Sequence, residues 1–503
     1  MNANLVKTVK LVAVVLISLI LWWLPSTAFG IPDLTILQQR MIAIFVFAAL
    51  MWILEVVPAW VTSVLIFVIM LFTVSDSSLA CLINPANFPD AQRLADPETG
   101  ALGGVAGLIS YKAIMASFAD PTVILFLGGF TLASVAAKSG VDVSLARIML
   151  KPFGTNSNIV LLGFIFVTAI FSMFVSNTAT AAMMLTFLAP VLKSLPSSEK
   201  GKLALALAIP IGANIGGIAT PIGTPPNGIA LGYINKAVSE GGLGYNIGFL
   251  DWMIVMFPLM VIILLIAWVL LRSIYGFTSK TIELKIEGGA ENGWKTKVIY
   301  LVLIVTILLW CFGKNLGLNV YVVAMFPFAA FAALGMLDHK DLQGLDWAVL
   351  WMVAGGFALG LGMDKTGLAD ALVEAIPFHT WPVILVLVGG GLICWILSTF
   401  ISNSAAAALM VPILVAVGKG MESQLAGLGG LITLIVGVAL SASFAMALPI
   451  STPPNAIAYS TGLIKSSQMA KVGVIIGVIA MAVGYLALVL VGQMGVFGTP
   501  QVG

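Results

Sequence analysis

The chain has 503 residues, of which 60% are apolar and only 9% charged, and its net charge is +2. That balance excludes an ordinary soluble domain and offers no basic surface for a nucleic-acid partner. It points instead to an all-α polytopic membrane protein embedded in a lipid bilayer.

Lys7 and Lys10 precede an apolar run from Leu11 to Trp23, followed by Pro25-Ser26-Thr27-Ala28. A secretory signal also ends in small residues, but this run is long enough to cross a bilayer and more spans follow directly, so it reads as an uncleaved first span. The predicted spans open at 8–27, 38–57, 59–76 and 120–138, with a long outer segment between the third and fourth. Segment 157–195 carries Ser172, Ser176, Asn177, Thr178 and Thr180 at its centre, so it reads as two half-length helices meeting at a polar tip. A broken helix over 202–237 is interrupted at residues 220–227, where Gly223, Pro225 and Pro226 cannot sustain the backbone ladder. An ordinary span at 251–272 follows. The second half repeats the order: spans at 296–312, 318–337 and 347–363, a hairpin at 382–418, a broken helix at 430–464 and a last span at 470–495.

The two halves also share motifs. Phe171-Ser172-Met173-Phe174-Val175-Ser176-Asn177-Thr178 matches Leu397-Ser398-Thr399-Phe400-Ile401-Ser402-Asn403-Ser404, with the asparagines 226 residues apart. Pro221-Ile222-Gly223-Thr224-Pro225-Pro226-Asn227 returns 228 residues later as Pro449-Ile450-Ser451-Thr452-Pro453-Pro454-Asn455. A lone Ser-Asn-Thr in a membrane helix ordinarily means interhelical hydrogen bonding, and a lone Pro-Pro a kink. Both duplicated in order at one interval mark a secondary transporter with its site between repeats. The reading gives about 11 transmembrane helices plus two re-entrant hairpins. Five crossings separate the hairpins, so they open to opposite sides and the repeats are inverted. With the N-terminus inside and the C-terminus outside, cytoplasmic segments hold 16 of the 23 Lys and Arg, Lys285 among them, and outer segments hold 7, Arg93 among them.

At such tips and breaks the terminal amides and carbonyls lack intrahelical partners. Amides at half-helix N-termini suit a carboxylate; carbonyls with Ser hydroxyls and Asn amide oxygens suit a small hard cation. No Lys, Arg or His lies in either tip or either Pro-Pro loop, and His339 and His379 fall in loop regions. A dianion there would meet only helix dipoles of about half a charge each, so bound cations must supply the rest. The lack of a titratable carboxylate or His in the tips favours Na⁺ over H⁺ as the coupling ion. Cys81, Cys311 and Cys394 are sparse and read as packing residues. Glu55, beside Val56-Val57-Pro58, reads as interfacial or capping, and Asp120 and Asp346 as helix N-caps. The loops offer no Cys, His or Glu set for a membrane enzyme. A channel would share the spans and breaks but would not saturate.

At these paired Ser-Asn tips and Pro-Pro breaks the chain resembles the divalent anion/sodium symporter family, over nearly its whole length. The resemblance implies a carrier of dicarboxylates, citrate or sulfate, working as a homodimer with a static scaffold and a transport domain that moves as an elevator. The scaffold would comprise 1–150 and 276–375, and the transport cassettes 151–275 and 376–503. By the same resemblance at least two Na⁺ sites are expected, one at Ser172, Ser176, Asn177 and the Gly223 carbonyl, its mate at Ser398, Asn403 and the Ser451 region. Substrate carboxylates would meet Asn177, Thr178 and Thr224 on one side, and Asn403, Ser404, Thr452 and Pro453 on the other. Ser404 stands where the family usually has Thr, which keeps the hydroxyl and loses a methyl. The implied activity is Na⁺-coupled import of a C4-dicarboxylate such as succinate, malate or fumarate. The alternatives are a Na⁺-independent dicarboxylate exchanger and a citrate or sulfate transporter. The modest loop charge fits a bacterial inner membrane.

Overall fold

The computed structural model describes residues 3–79, 108–239, 247–282 and 289–497; Cys81, Arg93 and Lys285 lie outside the described residues. Among the described residues the chain is helical, and strand-like pairing is limited to isolated bridges joining Ser75 to Ile109 and Asn156 to Thr281. Helix α1 covers Ala3–Trp23. Helix α2, Ile36–Ile53, starts from a reciprocal cap in which Thr35 Oγ1 accepts from Gln38 N and Gln38 Oε1 accepts from Thr35 N. Helix α3 is Ala59–Thr73. Asp120 caps α4, Pro121–Ser139, by accepting from Thr122 N at 2.8 Å, as expected, and Gly140 at φ 69° closes it. After α5, Val141–Leu150, come the first hairpin, α6 at Ser157–Ser172 and α7 at Asn177–Ser194, and the first broken helix, α8 at Gly201–Gly216 and α9 at Pro225–Ser239. Helix α10 is Phe249–Ile274.

The second half runs α11 Trp294–Phe312, α12 Met325–Ala333, α13 Trp347–Lys365 and α14 Leu368–Ala375. Asp346 caps α13 through Val349 N at 3.2 Å, the expected counterpart of Asp120. The second hairpin is α15 Val383–Phe400 with α16 Asn403–Lys419, the second broken helix α17 Gly430–Ser443 with α18 Pro453–Ser460, and the last helix α19 Ser466–Gln493.

The expected all-α polytopic architecture is present: nine helices among the described residues are long and apolar enough to cross a membrane on their own. The expected crossings at 59–76, 318–337 and 430–464 run through short helices, α3 with 15 residues, α12 with 9 and α17 with 14, while the hairpin arm α15 passes the length criterion. The hairpin arms are also not half-length: they hold 16, 18, 18 and 17 residues, about 24–27 Å each. The tips take only residues 173–176 and 401–402, so nearly all of each apolar run remains free to form helix. Glu55 is no cap: it sits exposed in the α2–α3 turn at φ 47°.

Polar contacts between distant loops keep to the faces that the crossing count assigns them. Lys138 pairs with Asp338 at 2.9 Å and Asp341 at 2.6 Å, Ser144 Oγ accepts from Ala290 N, and Glu199 accepts from Thr278 and Ser279, all on one face. On the other, Lys236 and Lys419 reach Asp364, and Lys314 reaches Asp251. The base of the first hairpin lies on the first face and Lys419, ending the second hairpin, on the second. The two hairpins therefore enter from opposite sides.

Packing brings the breaks together. Helix α8 is buried on nearly all sides, as an all-round apolar helix must be, and it packs on α6 so closely that a methyl on Gly216 would fall 2.4 Å from Ala169 Cα. Helix α17 packs likewise on α15 and α16. Across the repeats α7 and α8 lie on α18, and α9 lies on α16 and α17. Helices α3 with α13, and α4 with α12, pack outside this centre. Cys394 is buried and Cys311 half-buried, both as free thiols in apolar surroundings.

Candidate functional site

The first break is built around backbone carbonyls. Helix α8 ends at Gly216, tightens into one turn at Gly217–Ala219 and stops, since Pro225 and Pro226 cannot donate to the turn before them. The freed carbonyls find side chains: Asn227 Nδ2 donates to Gly217 O at 3.0 Å, Ile218 O at 3.3 Å and Thr220 O at 2.8 Å, and Trp252 Nε1 donates to Ile218 O at 2.9 Å. The Thr220 hydroxyl donates to Met173 O at the hairpin tip. Two further carbonyls complete this corner, that of Gly223 and that of Ala213, the latter already accepting from Gly217 N at the end of α8. They face the Ser172 hydroxyl and the Asn177 amide.

Ser172 Oγ lies 2.6 Å from Asn177 Oδ1 and 2.7 Å from Ala213 O. One hydroxyl hydrogen cannot serve both acceptors. The inward end of the Asn177 amide lies 3.1 Å from Gly223 O and 3.3 Å from Ala213 O. With nitrogen inward it donates to both carbonyls; with oxygen inward, four oxygens converge with too few hydrogens among them. Amide orientation follows from the partners and not from the atoms themselves, so this end of Asn177 can answer either an empty or a cation-filled cluster. The all-oxygen donor set, buried and uncharged, fits a hard cation.

The second cassette repeats the arrangement. Ser398 Oγ lies 2.8 Å from Asn403 Oδ1 and 2.9 Å from Ala442 O, again one hydrogen between two acceptors. Asn455 Nδ2 ties down Met446 O at 2.8 Å and Leu448 O at 3.0 Å, as Asn227 does in the first. Trp395 Nε1 donates to Phe444 O at 3.1 Å, taking the place of Trp252.

The expected residues divide as follows. Ser172, Asn177 and the Gly223 carbonyl come together, and so do Ser398 and Asn403. Ser176 does not join the first cluster: its Oγ accepts from Ala179 N at 3.3 Å and caps α7. Ser402 caps α16 in the same way through Ala405 N. Ser451 turns from the second cluster, donating to Thr399 O at 2.7 Å and accepting from Leu448 N at 3.0 Å, which closes its own loop. Thr224, Thr452 and Ser404 are buried beside the breaks, while Thr178 and Pro453 are exposed at helix starts. Sequence reasoning missed Ala213 and Ala442, because a carbonyl ligand leaves no mark on residue type; their 229-residue spacing was the available signal. It also missed Asn214, a polar residue inside an apolar helix.

Both tips are reached from one face. Ser176, Ala179 and Thr180 line a cavity of about 280 Å³ with Asp142, Gly344 and Asp346. Ser402 and Ala405 line a second space with Lys7, Glu55 and Pro58. All these partners belong to the face assigned as cytoplasmic.

A family model described as a citrate transporter matches residues 49–429. An uncharacterised transporter of Haemophilus influenzae is 32% identical over 401 residues, covering 75% of this chain and 82% of its own. The sodium-dependent dicarboxylate transporter SdcS of Staphylococcus saprophyticus is 29% identical, covering 75% and 78%. The sodium-dependent high-affinity dicarboxylate transporter 3 of Caenorhabditis elegans is 27% identical, covering 74% of each chain. Among solved structures, the YdaH transporter of Alcanivorax borkumensis, described as having an unusual topology, matches with a TM-score of 0.55 at 14% identity, over 86% of this chain and 98% of that one, a likeness of fold.

Proposed function

This chain belongs to the divalent anion/sodium symporter family, and from that premise we propose that it imports C4-dicarboxylates such as succinate, malate or fumarate together with Na⁺. The observation that carries the reading is the duplicated neutral cluster: in each cassette a serine hydroxyl, an asparagine amide and an alanine carbonyl converge within hydrogen-bond distance, and an asparagine that turns its oxygen inward completes an all-oxygen set. A cation balances such a cluster, and no Lys, Arg or His lies in the tips or loops to do so. The relatives named as sodium-dependent dicarboxylate transporters support the same ion and substrate class.

In this reading Ser172, Asn177, Ala213 O and Gly223 O hold one Na⁺, and Ser398, Asn403 and Ala442 O hold a second. The helix starts at Asn177 and Asn403 present amide ends, and Thr178, Ser404, Thr224 and Thr452 present hydroxyls, to the two carboxylates, with Pro453 packing beside them. The two Na⁺ neutralise the dianion; a third would make import electrogenic, worth about 2.3 kcal/mol per charge per 100 mV. The cassettes at 151–275 and 376–503 move as an elevator against 1–150 and 276–375, in a homodimer set in a bacterial inner membrane with its N-terminus inside.

The test is uptake of labelled succinate into proteoliposomes under an inward Na⁺ gradient, against K⁺ and choline controls. Saturable uptake that needs Na⁺ is the expected result. Uptake driven by internal dicarboxylate without Na⁺ would overturn the coupling, and uptake of citrate or sulfate alone would overturn the substrate class. Native mass of the detergent-solubilised protein checks the dimer.

A further inference from the structure

Building on the dicarboxylate reading, we infer that Asn214 is a positioning residue that locks the Thr452 hydroxyl as a hydrogen-bond donor to a substrate carboxylate. Asn214 lies in the last turn of α8, next to Ala213 of the first oxygen cluster, yet its side chain reaches into the other repeat. Its Nδ2 donates to Thr452 Oγ1 and to Asn455 Oδ1, both at 3.1 Å. All three residues are at most 3% exposed.

Each orientation in this set is fixed by the one before it. Asn455 Nδ2 is committed to Met446 O and Leu448 O, so its Oδ1 must face Asn214. An acceptor there demands a donor, which turns the Asn214 nitrogen inward and leaves Asn214 Oδ1 buried without a partner. An orphaned buried oxygen is unfavourable, so the inward nitrogen is held against a real penalty. Thr452 Oγ1 then accepts from Asn214 Nδ2 and, at 3.3 Å, from Asn455 N. Both its lone pairs are occupied. Its single hydrogen is left to point to an acceptor outside this set, and at a dicarboxylate site that acceptor is a carboxylate oxygen. A hydroxyl that cannot reverse its role discriminates for an anion.

The device exists in one repeat. The position 229 residues on from Asn214 is Ser443, whose hydroxyl bonds Ala439 O of its own helix at 3.1 Å and does not cross to the first loop. Thr452 is therefore locked by the opposite repeat, and Thr224 has no matching partner from Ser443.

The experiment is a double-substitution cycle on succinate uptake in proteoliposomes at saturating Na⁺. Asn214→Ala is expected to raise KM about tenfold, the loss of roughly one oriented hydrogen bond, with Vmax within about twofold of the parent. Thr452→Val is expected to raise KM similarly, and Asn214→Ala added to it to raise KM no further. Asn214→Asp should be worse than Asn214→Ala, because a carboxylate captures the Thr452 hydrogen and repels Asn455 Oδ1. Ser443→Ala should leave KM unchanged. Multiplying effects in the double variant, or a fall in Vmax at constant KM, would overturn the inference. If Asn214→Ala fails to fold, Thr452→Ser against Thr452→Val decides: equal KM values overturn the role of the hydroxyl. Parent vesicles that take up no dicarboxylate overturn the functional reading and this inference with it; parent uptake with independent variants overturns this inference alone.

Discussion

At the scale of residues, the site is made from neutral oxygen. In the proposed site Asn177 and Asn403 would do what a charged side chain does less reversibly: an amide can offer an oxygen to a cation and a nitrogen to bare carbonyls. Asn177→Ala and Asn403→Ala are each expected to lower Na⁺-dependent uptake at least about 100-fold, since a buried cation loses a ligand it cannot replace with water; the Na⁺ dependence of initial rates checks this. Gly217 is a sharper probe. A methyl there would lie 2.8 Å from Asn177 Oδ1 and 3.1 Å from Gly223 O, inside the oxygen cluster. Gly217→Ala should raise the Na⁺ concentration for half-maximal uptake more than about tenfold, whereas Gly293→Ala, with nothing within 4 Å, should not change it.

At the scale of elements, the turn between α7 and α8 is clamped to the segment after α10 by a buried carboxylate. Glu199, between α7 and α8, accepts from Gly201 N, Thr278 N, Ser279 N and the Thr278 hydroxyl, tying this turn to the segment after α10. Burial alone would raise its pKa, but these donors together outweigh it and hold the carboxyl at about 2. Folding thus depresses the pKa, so the stabilisation is present above the ordinary carboxylate value near 4.5 and is lost as pH falls toward about 2. Glu199→Gln should destabilise the protein by about 2 kcal/mol near neutral pH. The melting temperature in detergent should fall more steeply for the parent than for this variant between pH 4.5 and 2.

At the scale of the whole molecule, both tips are reached from one face, and on the opposite face ion pairs join the cassettes to a third helix. Lys236 of α9 and Lys419 of α16 lie 3.6 and 3.9 Å from Asp364 of α13, joining both cassettes to a helix outside them. These groups are part-exposed, so the network is worth up to about 1 kcal/mol and is weakened by salt. If the cassettes move against α13, Asp364→Asn should shift the balance toward the state open to the other face by up to about fivefold. A cysteine at Ser134, which lines the cavity at the first tip, would then be labelled more slowly from the face that now reaches it; unchanged labelling would remove Asp364 from the device.

The sequence by itself determined the membrane class, the two duplicated cassettes and the positions of both hairpins and breaks, while the grouping of Ser172 with Asn177 and of Ser398 with Asn403 was expected only from the family resemblance. The former were legible because composition, helix-breaking prolines and polar residues in apolar runs act locally, and repetition at one interval lifts them above chance. Only the tertiary structure decided which carbonyls complete each cluster, that Ser176 caps a helix and Ser451 closes its loop, and that Asn214 crosses to the other repeat. The reason is physical. Carbonyl ligation is independent of side-chain identity, and a hydroxyl chooses among caps, loops and clusters by a few ångströms that only the packing of α8 against α6 and α18 sets.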